Sequence, residues 1–203
     1  MKRTIIFLIF LSVLQVVYAQ VEAKFFPKGD AFDQVKLIKD HPKTKKTTKL
    51  PSFDIQKLID EDKLNESMDI PFRFGKGFDT EKTLADGEWS NVDEGRLWSM
   101  EFQSSGAYSI NFVFDQFFLP DSAKLYVTNT NGTMLYGPVT SKQNTKNGYF
   151  LTDLIQGDDV TIYLYEPNSK KGKSKLNIKR VVHAYKNLFS NMAYGNLGGS
   201  EKL

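Results

Sequence analysis

The stretch from Gly87 to Pro167 constrains the fold more than any other part of this chain, because short runs in it alternate apolar and polar residues. Trp98, Met100 and Phe102, for example, occupy every second position. Such alternation turns one face of a strand toward a core and the other toward solvent. Runs of this kind recur about every 8–12 residues, with turn residues between them. The pattern predicts a mainly β fold, an antiparallel β-sandwich of Greek-key or jelly-roll type with one short N-terminal helix.

Two turn signals divide this stretch. Ser104-Ser105-Gly106 separates an alternating run at 96–102 from another at 108–114, and we expect these two strands to form a β-hairpin. Asn131-Gly132 predicts a second hairpin. The alternation assigns these side chains to the core: Trp98, Ile110, Phe112 and Leu125. Further strands are expected at Tyr149–Thr152, Val160–Tyr165 and Leu176–Tyr185.

The region before the alternating stretch predicts one strand and one helix. The run from Ile70 to Phe74 has period two, and Pro71 restricts it to a sheet edge. We expect Gly75-Lys76-Gly77 to end that strand. Apolar residues at helical spacing predict a short amphipathic helix over 53–62, with Ser52 as its N-cap. Its apolar edge is expected to pack on the body of the chain, and docking onto a partner is the alternative.

The N-terminus resembles a secretory signal. Basic residues precede a nearly continuous apolar run at 5–17, which is shorter than the ~20 residues of a bilayer-spanning helix. Cleavage is expected between Ala19 and Gln20, which predicts a secreted or periplasmic protein with no membrane segment after cleavage. An uncleaved anchor helix is the alternative. Loss of Lys2 and Arg3 would leave 25 basic against 24 acidic residues, a balance that gives no reason to expect nucleic acid.

The chain therefore divides into four predicted parts: a signal peptide at 1–19, a Lys-rich leader at 20–66, a β-sandwich domain at 67–186 and a Gly-, Asn- and Ser-rich linker tail at 187–203. We expect the leader to be loosely ordered, with a short strand at 34–38 and a solvated basic linker at 43–49. The chain has no cysteine, so its stability must rest on a hydrophobic core rather than on disulfides.

The residues that catalysis requires are not arranged in any recognisable motif. The two histidines are His41 in the leader and His183 in the last predicted strand, where a structural role is favoured over a zinc ligand or general base. Three carboxylates on strands, Glu101, Asp115 and Glu166, are expected to point outward rather than to form a glycosidase pair.

No metal or organic cofactor is expected. The loop residues Asp158 and Asp159, with Asp153 nearby, suit either a Ca²⁺ site or a plain polar turn, and the polar turn is favoured.

Several stretches occur in an order that is found in a known family: Glu61-Asp62, Ile70–Gly75, Gly87-Glu-Trp89, Arg96-Leu-Trp98, Ala107–Phe112, Phe118–Tyr126 and Val181–Tyr185. Together, over residues 51–185, they resemble the N-terminal region of bacterial secreted lysyl-endopeptidase-like, trypsin-like serine proteases. The resemblance implies a non-catalytic module ahead of a protease domain. Asn196–Ser200 is similar to the lead-in to that domain, but the chain has no Gly-Asp-Ser-Gly-Gly stretch, so no catalytic residue carries over.

Three functions follow as hypotheses. The first is a pro-region or accessory domain of a trypsin-like serine protease, not an enzyme by itself, whose partner is the catalytic domain or another extracellular protein. The second is a secreted carbohydrate- or surface-binding module, in which Tyr163 and Tyr165 form an exposed platform for sugar rings. The third is a purely structural, adhesin-type domain.

Overall fold

The computed structural model describes residues 21–40, 44–65, 68 and 70–190. The strands are β1 (Ala23–Phe25), β2 (Thr47–Lys49), β3 (Gly75–Thr83), β4 (Glu88–Val92), β5 (Gly95–Gln103), β6 (Ser109–Phe114), β7 (Lys124–Asn129), β8 (Met134–Val139), β9 (Phe150–Leu151), β10 (Ile155–Gln156), β11 (Asp159–Pro167) and β12 (Asn177–Ala184). The α-helices are α1 (Lys36–Lys39) and α2 (Ile55–Asn65), and 3-10 turns occur at Ala31–Gln34, Ser141–Gln143 and Asn168–Lys170.

The strands form two sheets. The large sheet has seven strands, in the order β1-β8-β7-β11-β5-β2, with β4 beside the first half of β5. The small sheet has five strands, in the order β10-β6-β12-β3, with β9 also paired to β6. The pairs are antiparallel except that β2 runs parallel to β5. The predicted β-sandwich is therefore confirmed, with one parallel pair that the sequence pattern did not predict.

One apolar core lies between the two sheets. The Phe102 ring of β5 and the Phe112 ring of β6 meet across it in an edge-to-face contact, with 5.0 Å between their centroids. Full burial of a side chain of this size stabilises the fold by about 1.5–3 kcal/mol. The four residues that the alternation assigned to the core are all fully buried: Trp98, Ile110, Phe112 and Leu125.

The expected hairpin between β5 and β6 is wrong. β5 pairs with β11, whereas β6 pairs with β12, so the turn at Ser104–Gly106 carries the chain from one sheet to the other. Both strands have one apolar face, and the chain buries both faces by placing them opposite each other across the core. The Asn131-Gly132 hairpin between β7 and β8 is confirmed.

The position of β3 differs from the expected strand at Ile70–Phe74. The strand begins at Gly75, and its first residues pair with the end of β12. Gly75 and Gly77 both lie within β3, where they face β12 closely. A Cβ atom at Gly75 would lie 2.8 Å from the His183 carbonyl oxygen, and one at Gly77 would lie 2.7 Å from the Arg180 side chain. The two glycines therefore permit close pairing rather than ending the strand.

The leader is part of the fold rather than a loose segment. β1 adds to the edge of β8, and β2 adds to β5, where the basic linker was expected. The expected strand at 34–38 is also wrong, because a 3-10 turn and α1 occupy 31–39. Ala31 and Ile38 recur at helical spacing and are buried on the outer face of the large sheet. This burial favours helical turns over a strand.

Helix α2 is two to three residues displaced from its prediction at 53–62. Its first turn is capped by Asp54, whose side chain accepts a hydrogen bond from the Lys57 backbone N–H at 3.0 Å, so Ser52 is not the cap. Near the C-terminal limit of the described residues, Phe189 is buried against Phe25. The folded body therefore extends beyond the predicted boundary at residue 186. Residues 191–203 of the predicted tail lie outside the described residues.

Candidate functional site

Asp62 attaches helix α2 to the sandwich. Its carboxylate accepts hydrogen bonds from Arg73 Nε and from Tyr185 Oη, each at 2.8 Å, and forms an ion pair with Lys186 Nζ at 2.7 Å. Arg73 also contacts the Glu61 carboxylate at 3.1 Å. The expected packing of α2 on the body of its own chain is therefore observed.

The charges of this cluster keep Asp62 ionised. Burial opposes ionisation, but the hydrogen bonds from Lys186, Tyr185 and Arg73 outweigh it, so the pKa of Asp62 lies below its ordinary value. Burial and the hydrogen bond to Asp62 raise the pKa of Tyr185 to about 12, which keeps its hydroxyl a donor. Asp62 and its partners thus form a fixed ion network between α2 and the sandwich.

An exposed apolar segment follows this network directly. It consists of Leu64, Met68, Ile70 and Phe72, and half or more of each side chain is accessible. Phe72 is 69% exposed, with Lys186 Nζ 4.6 Å from the centre of its ring. Four large apolar side chains within nine residues contrast with the isolated exposed apolar residues that protein surfaces normally carry. We call these four residues the α2 apolar segment.

His183 lies on β12 and contacts Phe53, two residues before the start of α2. Its Nδ1 is 2.7 Å from Ser104 Oγ, its ring meets Phe53 edge-on at 4.8 Å, and the residue is almost fully buried. Within the described residues its Nε2 has no hydrogen-bond partner. Burial lowers the pKa of His183, so the ring is neutral in the folded protein. This placement agrees with a structural histidine.

The tyrosine platform is not presented as the sequence suggested. Tyr163 and Tyr165 lie on the outer face of β11, but the leader packs over that face, and Tyr163 is only 4% exposed. Ala31 and Ile38 belong to the apolar cluster that covers it. Tyr165 is half-buried. A sugar ring has no access to Tyr163 in this arrangement, because stacking requires an open aromatic face.

The three candidate carboxylates do not form a catalytic pair. Glu166 points inward, contrary to expectation, and is fully buried beside Arg96, its cross-strand neighbour on β5. Asp115 follows β6 in the other sheet and pairs with Lys179 at 3.2 Å. Glu101 accepts a hydrogen bond from Thr47 Oγ1 at 2.7 Å. Each carboxylate is thus occupied by its own structural contact.

The three loop aspartates do not gather around one point. Across the described parts of the chain, no three acidic or histidine side chains form a group that could hold a metal ion. Asp158 instead contacts the Gly106 backbone N–H at 3.3 Å, and Asp153 contacts the next backbone N–H in the chain at 2.8 Å. Both contacts are those of polar turns.

Some predicted sites lie outside the described residues, namely the cleavage site at Ala19 and Gln20, the leader histidine His41 and the tail with Ser200. Within residues 21–40, 44–65, 68 and 70–190, no helix is long and apolar enough to cross a membrane.

Sequence reasoning missed two partners of Asp62. These are Arg73, within the strand expected at Ile70–Phe74, and Lys186, one residue after the strand expected at Leu176–Tyr185. A signal was present in Arg73, because an arginine between Phe72 and Phe74 interrupts an otherwise apolar run. A charge in that setting indicates a buried or half-buried ionic partner.

A search of protein-family models found none that matches this chain. Among solved structures, the chain is similar to Arthrobacter globiformis T6 isomalto-dextranase complexed with panose, at 12% sequence identity and a TM-score of 0.27. The likeness covers 51% of this chain and 22% of that chain. A likeness this low assigns no function.

Proposed function

We propose that this chain is a secreted, non-catalytic β-sandwich that binds a partner protein through the α2 apolar segment, and that the partner is the catalytic domain of a trypsin-like, lysyl-endopeptidase-like serine protease. In this role it acts as a pro-region or accessory domain. Its chemistry is surface complementarity, which needs no acid, base or nucleophile of its own.

One observation carries the proposal. Asp62, Arg73 and Tyr185 come from three separate stretches that resemble the protease family, and all three meet in a single ion network. That network fixes the start of the α2 apolar segment against the sandwich. Asp62 precedes the segment and Arg73 follows it, so the network holds both of its ends. Fixed ends reduce the entropy lost on association and so favour a docking surface.

The charged surroundings of the segment fit a specific interface. Three charged residues lie beside it, namely Glu61, Arg73 and Lys186. Each side chain is partly buried and forms an ion pair within the network. Protein interfaces commonly combine an apolar centre with a polar rim, and a few apolar anchors contribute most of the affinity. Met68 and Phe72, at 63% and 69% exposure, are the side chains with most surface to lose.

The test is binding of the exported chain to a lysyl-endopeptidase-like catalytic domain, measured by titration calorimetry. The double variant Met68→Ser, Phe72→Ser should weaken binding by roughly 30-fold or more, the loss expected when interface anchors are removed. Folding should be unaffected because both side chains face solvent.

A matched control removes exposed apolar surface elsewhere. The double variant Tyr149→Ser, Leu151→Ser changes residues that are 47% and 58% exposed at β9, on the opposite side of the small sheet from β3. It should bind like the unchanged chain. Equal losses in the two double variants, or no binding by the unchanged chain, would exclude this docking surface.

A further inference from the structure

Three loops at one end of the sandwich line an open cleft of about 600 Å³. They are the segment after β6, the segment between β8 and β9, and the segment between β11 and β12. The side chains that line it include Gln116, Phe118, Lys146, Asn147, Lys173 and Lys175. This volume lies within the ~300–1,000 Å³ range of ligand-binding clefts, and the loop ends of sandwiches are frequent binding positions.

Two of the three loops around this cleft are strongly basic, whereas the segment after β6 carries Asp115 and Asp121. The segments 140–149 and 167–176 contain six lysines and no Asp, Glu or Arg: Lys142, Lys146, Lys170, Lys171, Lys173 and Lys175. Other lysines of the chain, such as Lys39 and Lys179, pair with carboxylates. The six loop lysines make no ion pair with any carboxylate of the described residues. Their charge is therefore available to an anionic ligand.

Glu166 holds the most basic of these loops in place. Its buried carboxylate accepts hydrogen bonds from the backbone N–H groups of Gly172, Lys173 and Ser174, at 2.8, 3.1 and 2.8 Å. Arg96 Nε balances its charge at 2.8 Å. The carboxylate is thus used internally, and the lysine side chains of the loop remain turned outward.

The other two loops are also held in place by hydrogen bonds. Phe118 and Lys175 exchange two backbone hydrogen bonds of 2.9 Å, which sets their side chains next to each other. The Asn144 side chain forms hydrogen bonds to both the N–H and the carbonyl of Leu119, at 2.9 and 2.8 Å. The cleft is therefore preorganised, which favours binding because little ordering remains to be done.

The lining chemistry combines charge, an aromatic face and amide groups. Phe118 is 44% exposed, although the adjacent Phe117 is buried in the core. An exposed ring beside Lys175 suits a sugar ring that stacks on its apolar face and carries a negative group at its edge. The Gln116 amide supplies a donor and an acceptor for hydroxyl groups, and Asn147 Nδ2 supplies a donor. The Asn147 Oδ1 atom already accepts hydrogen bonds from Thr145 Oγ1 and the Tyr149 N–H, at 2.8 and 3.2 Å.

We infer that this cleft binds an acidic polysaccharide, with Lys146, Lys173 and Lys175 contacting its carboxylate or sulfate groups and Phe118 stacking on a sugar ring. Nucleic acid is less well matched, because these loops carry no arginine for bidentate phosphate contacts and Phe118 is one stacking ring rather than a series. This site is separate from the α2 apolar segment, and its ligand does not depend on the proposed partner.

The test uses the exported chain and two defined probes, a heparin oligosaccharide and an alginate oligosaccharide, with neutral dextran for comparison. We expect binding to at least one acidic probe, no binding to dextran, and affinity that falls with added salt. The triple variant Lys146→Gln, Lys173→Gln, Lys175→Gln should weaken binding about tenfold or more, since several modest exposed charge contacts are lost together. Phe118→Ala should weaken it about fivefold.

A charge-matched control separates this cleft from general attraction. The triple variant Lys24→Gln, Lys45→Gln, Lys57→Gln removes the same charge from exposed positions outside the three loops and should bind almost normally. Equal losses in both triple variants would overturn the inference. So would preferential binding of a single-stranded oligonucleotide or polyglutamate, no binding of either acidic probe, or affinity unchanged by Phe118→Ala.

Discussion

Asp62 on α2 accepts a 2.8 Å hydrogen bond from Tyr185 Oη, which lies directly after β12 and 123 residues further along the chain. This contact ties the only long helix among the described residues to the last strand of the small sheet. It also anchors α2 two residues before the α2 apolar segment begins at Leu64.

Loss of the Asp62 contact should loosen α2. Asp62→Asn removes the charge that Arg73 and Lys186 share, and we expect a loss of about 1–3 kcal/mol in the free energy of unfolding, the range for hydrogen bonds to a charged group. Urea denaturation measures it. Asp60→Asn, an exposed residue on the same helix, should change stability by less than about 1 kcal/mol.

The same pair has a pH signature. The pKa of Asp62 is lowered in the folded chain, so its contribution to stability is present above about pH 4 and is lost as the pH falls further. The stability difference between the unchanged chain and Asp62→Asn should shrink between pH 5 and pH 3. A difference that stays constant across that interval would mean that Asp62 is not ionised through its contacts.

Glu166 should be costly to replace because it holds both a buried ion pair and a loop. Glu166→Gln leaves the half-buried Arg96 without its carboxylate partner, and the expected loss of stability is about 3 kcal/mol or more. Glu101→Gln on the neighbouring strand removes a more exposed carboxylate and should cost under about 1 kcal/mol. Similar values for the two variants in urea denaturation would contradict the internal role of Glu166.

His183 should make stability depend on pH near neutrality. Burial lowers its pKa from the ordinary value of 6.5, although the Asp158 carboxylate acts in the opposite direction. The unfolded chain therefore binds a proton that the folded chain excludes, so stability is full above about pH 6.5 and falls as the pH drops below it. Denaturation at pH 7.5 and pH 5.5 should show a smaller decrease for His183→Gln. The same decrease in both proteins would place the titration elsewhere.

Phe112 packs against Phe102 in the core between the two sheets. Phe112→Ala should destabilise the domain by about 3–5 kcal/mol, a large part of the ~5–15 kcal/mol that holds a typical domain together. Phe118→Ala, on a half-exposed ring, should cost far less. Equal effects in thermal or urea denaturation would mean that β6 is not packed between the sheets.

The strands and the inner core could be predicted because alternation reports directly which side chains of a strand are buried. Phe112 and Leu125 were assigned in this way, and both are fully buried. The partner of each strand could not be predicted, because an apolar face is buried equally well within a hairpin or across a sandwich. For that reason β5 and β6 were wrongly paired.

The burial of the outer face of the large sheet was also not predicted. Tyr163 alternates with inward-facing residues of β11 and was therefore assigned to the solvent-exposed face. Alternation does not reveal whether a segment distant in sequence covers that outer face. Ala31 and Ile38 come from a Lys-rich leader whose apolar content is low, and their helical spacing was too short a pattern to recognise. The contacts of Asp62 and of Glu166 likewise join residues far apart in sequence, which local pattern cannot reveal.

The most direct measurement of the central claim is amide hydrogen exchange of the chain from Gln20 onward, alone and with a lysyl-endopeptidase-like catalytic domain. We expect new protection confined to α2 and the residues up to Phe74, with no change at β9 or in the basic loops 167–176. Protection in the basic loops alone, or no protection anywhere under conditions where the two proteins are mixed at high concentration, would contradict it.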